Sequence, residues 1–391
     1  MKITSIETIE LPVIQGMHCV YARIHSDSGI YGLGETGVAI GVGGKAAAEV
    51  IRAIAPQLIG MDPTEIDVIW EKMYRNTFWA IGGGAIVMSA ISAIDTALWD
   101  LKGKAMGVPV ANLLGGKHRS KLRAYASQLQ MGWNVTEHSA FESPEQLKEA
   151  ALAAVEQGYT AVKANVLGLN LEGRRRASYE TIGHLDPEVL KRADERLGAL
   201  RDAIGPDKDL IIENHAITDA NTALEFARVV ENYNVMFMEE PTVPTNINAF
   251  KRITEHTNIP LATGERTYMR NNYIPFLENR LLAVLQPDIG NCGGVSEVKK
   301  LADMAYCYDV GIQAHVCSSP LSVAVSLQLE AAIPNFVIHE HHMTNTLSCI
   351  RDLCIYDYQP VNGYLEVPDL PGFGQDLTPE ALKASVITEV K

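Results

Sequence analysis

The sequence predicts an α/β barrel that follows a smaller α+β unit. Eight short apolar segments alternate with helix-length intervals after residue 121, which is typical of a parallel sheet built from βα units. A β-hairpin pattern and helical patterns occupy the residues before them. The length of 391 residues fits this division, because an α/β barrel alone takes roughly 250 residues.

The first 121 residues contain strand patterns and then helix patterns. The segments TIELPVI, VYARIH and IYGLGE are strand-like, and a turn at Ser26–Gly29 separates the second from the third. Apolar residues recur at helical spacing at about 45–60 and 85–106. We therefore expect an α+β domain over residues 1–121.

The barrel is predicted over residues 122–350. Its eight strand-like segments are nearly continuous in apolar character, as expected of strands that are buried on both faces. The segments are LRAYASQL, TAVKANV, LIIENHA, VMFMEEP, PLATGE, LAVLQPDI, VGIQAHV and FVIHEH. The loop-rich residues 351–391 are expected to return to the first domain.

Composition limits the class of partner. The net charge of −14 argues against nonspecific binding to nucleic acids or anionic membranes, which requires basic surfaces. The six cysteines form no C-x-x-C pair, and the N-terminus lacks a secretory signal pattern. No apolar run of membrane-spanning length is present. We expect a cytoplasmic protein whose substrate is a small molecule, anionic ones included, because a bound cation can reverse the local field.

Polar residues stand where the apolar segments end. They are Lys163, Asn165, Glu213, His215, Glu239, Glu265, Asp288, His315 and Glu340. Functional residues of a barrel lie at the carboxyl ends of its strands, so these side chains should converge on one pocket. Because side chains alternate along a strand, Lys163 shares a face with Asn165, and Glu213 shares one with His215.

Three of these residues form a candidate metal site. Glu213, Glu239 and Glu265 follow consecutive strands at steps of 26 residues. Any one of them could be a surface acid or a helix cap, but the regular spacing favours a shared function. Three carboxylates without a cysteine make a hard oxygen site that suits Mg²⁺. Such acids would repel one another strongly unless a cation is bound or some are protonated.

Two histidines are candidates for proton transfer. His315 and Asp288 end adjacent strands, and a histidine that a carboxylate orients is a suitable general base. His215 would place a second acid or base near the metal. The run H-E-H-H at 339–342 could suggest zinc, but neighbouring residues on a strand point in opposite directions. We therefore interpret Glu340 as the residue that faces inward.

Several motifs together resemble the mandelate racemase branch of the enolase superfamily, nearly end to end. The motifs are ISAIDTALWDLKGKAMGVPVANLLGG at 91–116, MEEP at 238–241, TGER at 263–266, QPDIGNCGG at 286–294 and the strand of His315. The resemblance implies a (β/α)7β TIM-like barrel under an α+β capping domain, and a homo-oligomer.

The resemblance also implies roles for the site residues. Glu213, Glu239 and Glu265 would bind Mg²⁺, and His315 with Asp288 would be the base that removes a proton beside a carboxylate. Lys163 and a protonated Glu340 would donate hydrogen bonds to the dianion that forms. Apart from the resemblance, Arg266 stands beside the ligand Glu265 and is a candidate to contact an anionic substrate, and Asn165 is a second candidate for substrate binding.

One departure from the racemase pattern selects the reaction. The racemases carry K-x-K on the second barrel strand, and here the motif is K-A-N, so Asn165 cannot remove a proton. His215 instead resembles the acid of galactonate-type sugar-acid dehydratases, which protonates the departing 3-hydroxyl. Glu213 stands where the family often has Asp. The sequence therefore predicts an aldonate dehydratase, a hydro-lyase whose product is a 2-keto-3-deoxy acid.

Two alternatives stay open at this level. An epimerase or a lactone cycloisomerase would start from the same proton abstraction. A sugar-acid-binding protein on an inactive barrel is disfavoured by the intact set of ligands and acid–base residues. The choice of sugar acid is expected to depend on loops near 15–25 and 38–45 and on the insertion at 167–190.

Overall fold

The computed structural model describes residues 1–14, 16–133, 143–168 and 176–391. Its first unit is an antiparallel sheet with helices packed on it. The strands are β1 (Ile3–Ile14), β2 (Met17–Ser26) and β3 (Tyr31–Glu35), and the helices are α1 (Gly43–Ile54), α2 (Ile66–Asn76), α3 (Ala85–Met106) and α4 (Val110–Leu113). Strand and helix patterns were predicted for this unit, with the exception of α2 and α4.

Eight parallel strands form the second unit. They are β4 (Lys121–Ser127), β5 (Ala161–Ala164), β6 (Asp209–Glu213), β7 (Phe237–Glu239), β8 (Leu261–Thr263), β9 (Val284–Leu285), β10 (Gly311–Ile312) and β11 (His339–His342). They pair in chain order from β4 to β10, and β11 pairs with β4. Each corresponds to one predicted apolar segment.

The sheet closes between β10 and the residues just before β11. The backbone N–H of Ile312 donates to the carbonyl of Asn335 at 2.8 Å, and the N–H of Val337 donates to the carbonyl of Ile312 at 2.9 Å. These bonds complete a parallel bridge between Ile312 and Phe336. Since β11 already pairs with β4, the eight strands make a closed barrel, as the sequence predicted.

Helices connect the barrel strands. They are α5 (Pro144–Glu156), α6 (Pro187–Ile204), α7 (Ala220–Val230), α8 (Ile247–His256), α9 (Ile274–Glu278), α10 (Ile289–Cys292), α11 (Gly294–Tyr306) and α12 (Pro320–Ala331). After β11 the chain forms only the short helices α13 (Ser348–Arg351) and α14 (Pro379–Ala384). Seven βα connections and a final strand are the predicted (β/α)7β arrangement. Among the described residues, no helix is long and apolar enough to span a membrane.

The end of the chain contacts both units. Strand β12 (Tyr364–Glu366) pairs with β4 of the barrel, and β13 (Val386–Val390) pairs with β1 of the first sheet. The Tyr31 hydroxyl also donates to Asp376 at 2.6 Å. The exact domain boundaries at residues 121 and 350 stay predictions.

Helix α3 joins the first unit to the barrel. Ser89 donates to the carbonyl of Gly290 at 2.9 Å, and Asp95 accepts the N–H and the hydroxyl of Ser296 at 3.0 and 2.6 Å. Trp70 of α2 donates to the carbonyl of Gly293 at 2.7 Å. These contacts hold the first unit against the segment that follows β9, which carries Asp288.

Candidate active site

The ten residues singled out in the sequence all lie at the carboxyl ends of barrel strands. Lys163 and Asn165 belong to the end of β5, Glu213 and His215 to β6, Glu239 to β7, Glu265 and Arg266 to β8, Asp288 to β9, His315 to β10 and Glu340 to β11. A parallel barrel presents these ends on one face. The structure therefore brings them into one connected cluster.

Three carboxylates of this cluster could hold a metal ion. One oxygen from each of Glu213, Glu239 and Glu265 lies within 4.8 Å of the other two. Burial and the charge of Glu213 raise the pKa of Glu239 well above its ordinary value. The second oxygen of Glu239 is buried without a hydrogen-bond partner. A cation would relieve both the repulsion and the unpaired oxygen, so the donor set fits a hard divalent ion.

Lys163 lies fully buried among the acids. Its ammonium is 2.8 Å from Glu239, 2.9 Å from Glu340 and 3.4 Å from Glu213. Burial alone would lower the pKa of Lys163, but the charges of Glu239 and Glu340 raise it well above its ordinary value. The amine is therefore a cation that offsets part of the acidic charge.

Glu340 accepts hydrogen bonds from three directions. Ser127 donates from its hydroxyl at 2.6 Å, Val316 from its backbone at 3.0 Å, and Lys163 lies at 2.9 Å. Burial would raise the pKa of Glu340, but Lys163 and His315 lower it below its usual range. These neighbours favour the ionised form of Glu340, whereas the family resemblance implies a protonated acid. Donors surround it because its place in β11 lies beside β4 and the loop after β10.

His315 is held between two carboxylates. Its Nδ1 is 2.7 Å from Asp288, and its Nε2 is 3.2 Å from Glu265. Burial would lower the pKa of His315, but Glu265 and Asp288 raise it to about 10. In the same way, His315 and Arg266 outweigh burial and lower the pKa of Glu265 to about 2. The predicted pairing of His315 with Asp288 is present in the structure.

His215 contacts both the acidic cluster and Asn165. Its Nε2 is 3.8 Å from Glu213, and its Nδ1 is 2.9 Å from the side-chain nitrogen of Asn165. The Asn165 oxygen accepts the backbone N–H groups of Leu167 and Gly168 at 3.2 and 2.6 Å. Burial lowers the pKa of His215 to about 4, so the ring is neutral.

Arg266 pairs with protein carboxylates. Its guanidinium contacts the buried Glu240 and Glu265. The side chain is 42% exposed, so one side of it faces solvent. Contact between Arg266 and a substrate stays a prediction.

Two glutamines at the site were not anticipated from the sequence. Gln128 and Gln130 follow β4, are almost fully buried and bond to each other. The side-chain nitrogen of Gln128 lies 3.4 Å from Nε2 of His215, and the oxygen of Gln130 accepts the backbone N–H of Asn165 at 3.0 Å. The sequence feature that could have revealed them is Q-L-Q at the end of the first barrel strand, since this strand end carries no ionisable residue.

Backbone strain is also present at this face. Gln128, His215, Ala216 and Glu240 have φ values of 66°, 49°, 55° and 44°. Residues other than glycine adopt this left-handed region at a cost of order 1–3 kcal/mol, and they cluster at functional sites. The strand ends are therefore shaped for the positions of their side chains.

Comparison with known families agrees with this arrangement. Residues 146–381 match the family described as "Enolase C-terminal domain-like", and residues 7–115 match "Mandelate racemase / muconate lactonizing enzyme, N-terminal domain". The chain belongs to the enolase superfamily. The predicted family and fold are confirmed.

Curated relatives within the superfamily include sugar-acid dehydratases. The D-galactonate dehydratase of Variovorax paradoxus is 32% identical over 98% of this chain and 94% of its own length. The D-xylonate dehydratase of Haloferax volcanii is 31% identical over 94% of this chain and 85% of its own length. Dehydratases are hydro-lyases, so these relatives belong to the class of enzyme that the sequence predicts for this chain.

Solved structures of the superfamily superpose over the whole chain. A member of the enolase superfamily from Salmonella Typhimurium is 47% identical, with a TM-score of 0.97 and full coverage of both chains. The 3,6-anhydro-D-galactonate cycloisomerase from Zobellia galactanivorans is 30% identical, with a TM-score of 0.83 and coverage of 98% and 99%. The chain is thus similar to enzymes that carry out two different reactions on sugar acids.

Proposed function

We propose that this protein is a Mg²⁺-dependent sugar-acid dehydratase that converts an aldonate into a 2-keto-3-deoxy acid. The observation that best supports this proposal is that two histidines flank one cluster of three carboxylates. His315 lies 3.2 Å from Glu265, and His215 lies 3.8 Å from Glu213. Two separate acid–base groups suit an elimination, in which one group removes a proton and the other protonates the leaving hydroxyl.

Glu213, Glu239 and Glu265 would hold the metal in this proposal. All three donors are carboxylates, which Mg²⁺ prefers. When bound, Mg²⁺ supplies positive charge that stabilises the carboxylate of the substrate as it becomes a dianion. Glu213 is one methylene longer than the Asp that is common in the family, and its ligand oxygen still lies within 4.8 Å of the other two.

His315 acts as the base that removes the C2 proton. Asp288 accepts a hydrogen bond at Nδ1, which leaves Nε2 as the proton acceptor and stabilises the imidazolium that results. The charge of Glu265 is one cause of the raised pKa of His315, so this pKa would be lower if Glu265 held a cation. The ring would then be neutral more often and able to accept the C2 proton.

His215 acts as the acid in the second step. The electron pair left at C2 forms the C2–C3 double bond, the C3–O bond breaks, and the Nε2 proton of His215 passes to the departing hydroxyl, which leaves as water. A solvent proton then restores the His215 ring, and His315 releases the C2 proton to solvent, so protons balance over the cycle. The resulting enol takes up a proton at C3 and becomes the ketone. Lys163 stays charged and offsets negative charge that develops nearby.

An isomerisation is the second candidate, because the chain is 30% identical to a 3,6-anhydro-D-galactonate cycloisomerase. It would use the same first step at His315 and would return a proton without loss of the 3-hydroxyl as water. Solvent deuterium at C2 without any keto product would favour this reaction.

The test is a panel of hexonates and pentonates with the purified protein in D2O. With Mg²⁺, we expect a 2-keto-3-deoxy product from at least one acid, and with EDTA we expect none. Glu239→Gln should bind Mg²⁺ more weakly in calorimetry and should lose activity. The control Glu255→Gln removes an exposed acid of α8 and should change neither quantity. Turnover that is independent of metal, or no product from any acid, would refute the proposal.

A further inference from the structure

A chain of hydrogen bonds fixes which nitrogen of His215 carries its proton. The backbone N–H groups of Leu167 and Gly168 are donors, so the oxygen of the Asn165 side chain must accept from them. The nitrogen of that amide therefore faces His215 Nδ1 at 2.9 Å and donates to it. Because Nδ1 accepts, the proton of the neutral ring sits on Nε2.

The space around Asn165 leaves its amide one orientation. A Cβ atom placed on Gly168 would lie 2.8 Å from both the oxygen and the nitrogen of Asn165. The loop backbone thus packs directly on this amide. Asn165 is 6% exposed, and a flipped amide would set its NH2 group against two backbone N–H donors at a cost of roughly 1–3 kcal/mol for each unmade bond.

A second chain of bonds orients Gln128 by the same logic. The N–H of Asn165 donates to the oxygen of Gln130 at 3.0 Å, so the nitrogen of Gln130 donates to the oxygen of Gln128. The NH2 group of Gln128 is then the end that faces His215, 3.4 Å from Nε2. Two donors consequently face each other, and they do not bond.

We infer that Gln128 and His215 Nε2 together form a two-donor seat for the hydroxyl oxygen that leaves the substrate, and that Asn165 is the positioning residue that keeps the His215 proton on Nε2. An oxygen about 2.9 Å from both nitrogens, to one side of the line that joins them, would accept a hydrogen bond from each, as an oxyanion does in a preorganised site. The seat would take a hydroxyl bonded to sp³ carbon and would hold it as the C–O bond breaks. The inference rests on the proposed dehydration, and it names the residues that serve the second step.

The first test reads the tautomer without any reaction. In protein labelled with ¹⁵N-histidine and saturated with Mg²⁺, long-range ¹H–¹⁵N spectra should show His215 as the Nε2–H form, with His215→Asn used for assignment. Asn165→Leu removes the donor at similar volume and should shift the ring toward the Nδ1–H form. A wild-type ring in the Nδ1–H form would overturn the inference, whatever the activity.

The second test separates the two chemical steps in D2O. Gln128→Glu keeps the acceptor for Gln130 and replaces the donor by a carboxylate. We expect this variant and Asn165→Leu to eliminate at least about 100-fold more slowly than wild type while exchange at C2 stays within about fivefold. Gln328→Glu makes the same change in a fully buried glutamine that bonds to Ala111 and Pro368 away from the site.

The control should lose thermal stability and keep the wild-type ratio of elimination to exchange. If Gln128→Glu lost exchange and elimination equally, the proposed two-donor seat would be refuted, because a donor to the leaving oxygen acts only in the second step. If wild type shows the Nε2–H form and no elimination with any acid, the dehydratase proposal fails while the role of Asn165 stands.

Discussion

At the scale of single residues, the two histidines differ in what holds them. Asp288 accepts from His315 at 2.7 Å, whereas the Asn165 amide donates to His215 at 2.9 Å. A carboxylate partner favours the protonated ring, and an amide donor favours the neutral one. The pKa of His315 is accordingly raised to about 10, and burial lowers that of His215 to about 4. Environment therefore gives one residue type two different roles.

Substitution of each histidine should separate the two steps. His315→Asn should lose C2 exchange and elimination together by about 100-fold to 10,000-fold, the range typical of a missing general base. His215→Asn should lose elimination by a similar factor and keep most of the exchange. Proton NMR in D2O measures exchange, and a keto-acid assay measures elimination. The assignment fails if His215→Asn abolishes exchange as completely as His315→Asn does.

Lys163 makes the second prediction at this scale. Lys163→Met leaves Glu239 and Glu340 without their shared cation, which typically costs about 3–5 kcal/mol for a buried pair. Urea unfolding should show this loss without metal, and Mg²⁺ should restore part of it. The control Lys299→Met removes a surface pair with Asp303 and should change the unfolding free energy by less than about 1 kcal/mol. If Lys163→Met were as stable as wild type, both with and without Mg²⁺, Lys163 would not be needed to balance the charge of Glu239 and Glu340.

At the scale of elements, strand β3 depends on close approach to α3. A Cβ atom on Gly34 would lie 2.0 Å from the carbonyl oxygen of Ala93. Gly34→Ala should therefore lower the unfolding free energy by at least about 1–3 kcal/mol, as overpacked cores do. Gly198→Ala in α6 meets only Tyr233 at 3.6 Å and should be neutral or slightly stabilising. Chemical denaturation of both variants tests the packing, and equal stabilities would refute it.

The sequence predicted elements well where the apolar pattern is long or nearly continuous. The eight barrel segments are nearly continuous in apolar character, and in α3 apolar residues recur at helical spacing over about six turns. Helix α2 was missed although Ile66, Ile69, Trp70 and Met73 are buried at helical spacing. These apolar residues occupy a short segment between turns, so their helical spacing was not recognised in the sequence.

Strand lengths and the amide network were harder to predict. Strands β9 and β10 have two residues each, because their backbones leave regular pairing soon after the apolar run. Gln128 and Gln130 carry no charge, so a search for ionisable strand ends passes over them. Their orientation depends on backbone donors from another strand, which no local pattern encodes.

At the scale of the whole molecule, buried acids couple the two units to pH. Asp95 of α3 accepts two hydrogen bonds from Ser296 of the barrel, and burial raises its pKa to about 7. Glu35, at the end of β3, accepts from Ser319 in the same interface, and burial raises its pKa to about 7 as well. Both acids lie where the first unit contacts the barrel. Protonation of these acids is therefore coupled to the contact between the two units.

The sign of this linkage follows from Asp95. Its pKa is higher in the folded state than the ordinary 3.8, so between about pH 4 and 7 the folded protein binds more protons than the unfolded chain. Stability should therefore fall as pH rises through that window and should level off above it. Between pH 5 and pH 8, the unfolding free energy of Asp95→Asn should change by roughly 3 kcal/mol less than that of wild type. The figure comes from about 1.36 kcal/mol for each of the two pH units between pH 5 and the pKa of Asp95 in the folded state.

Urea unfolding at pH 5 and pH 8 measures that difference for wild type and variant. Ser296→Ala is the matched control, because it removes a hydroxyl donor and leaves the Asp95 carboxyl buried, so its pH dependence should persist. A pH dependence in Asp95→Asn as steep as in wild type would show that Asp95 is ionised when the two units are docked. The interface would then hold a charge that the nearby Lys300 balances, and Lys300→Met would be the variant that destabilises the protein at pH 8.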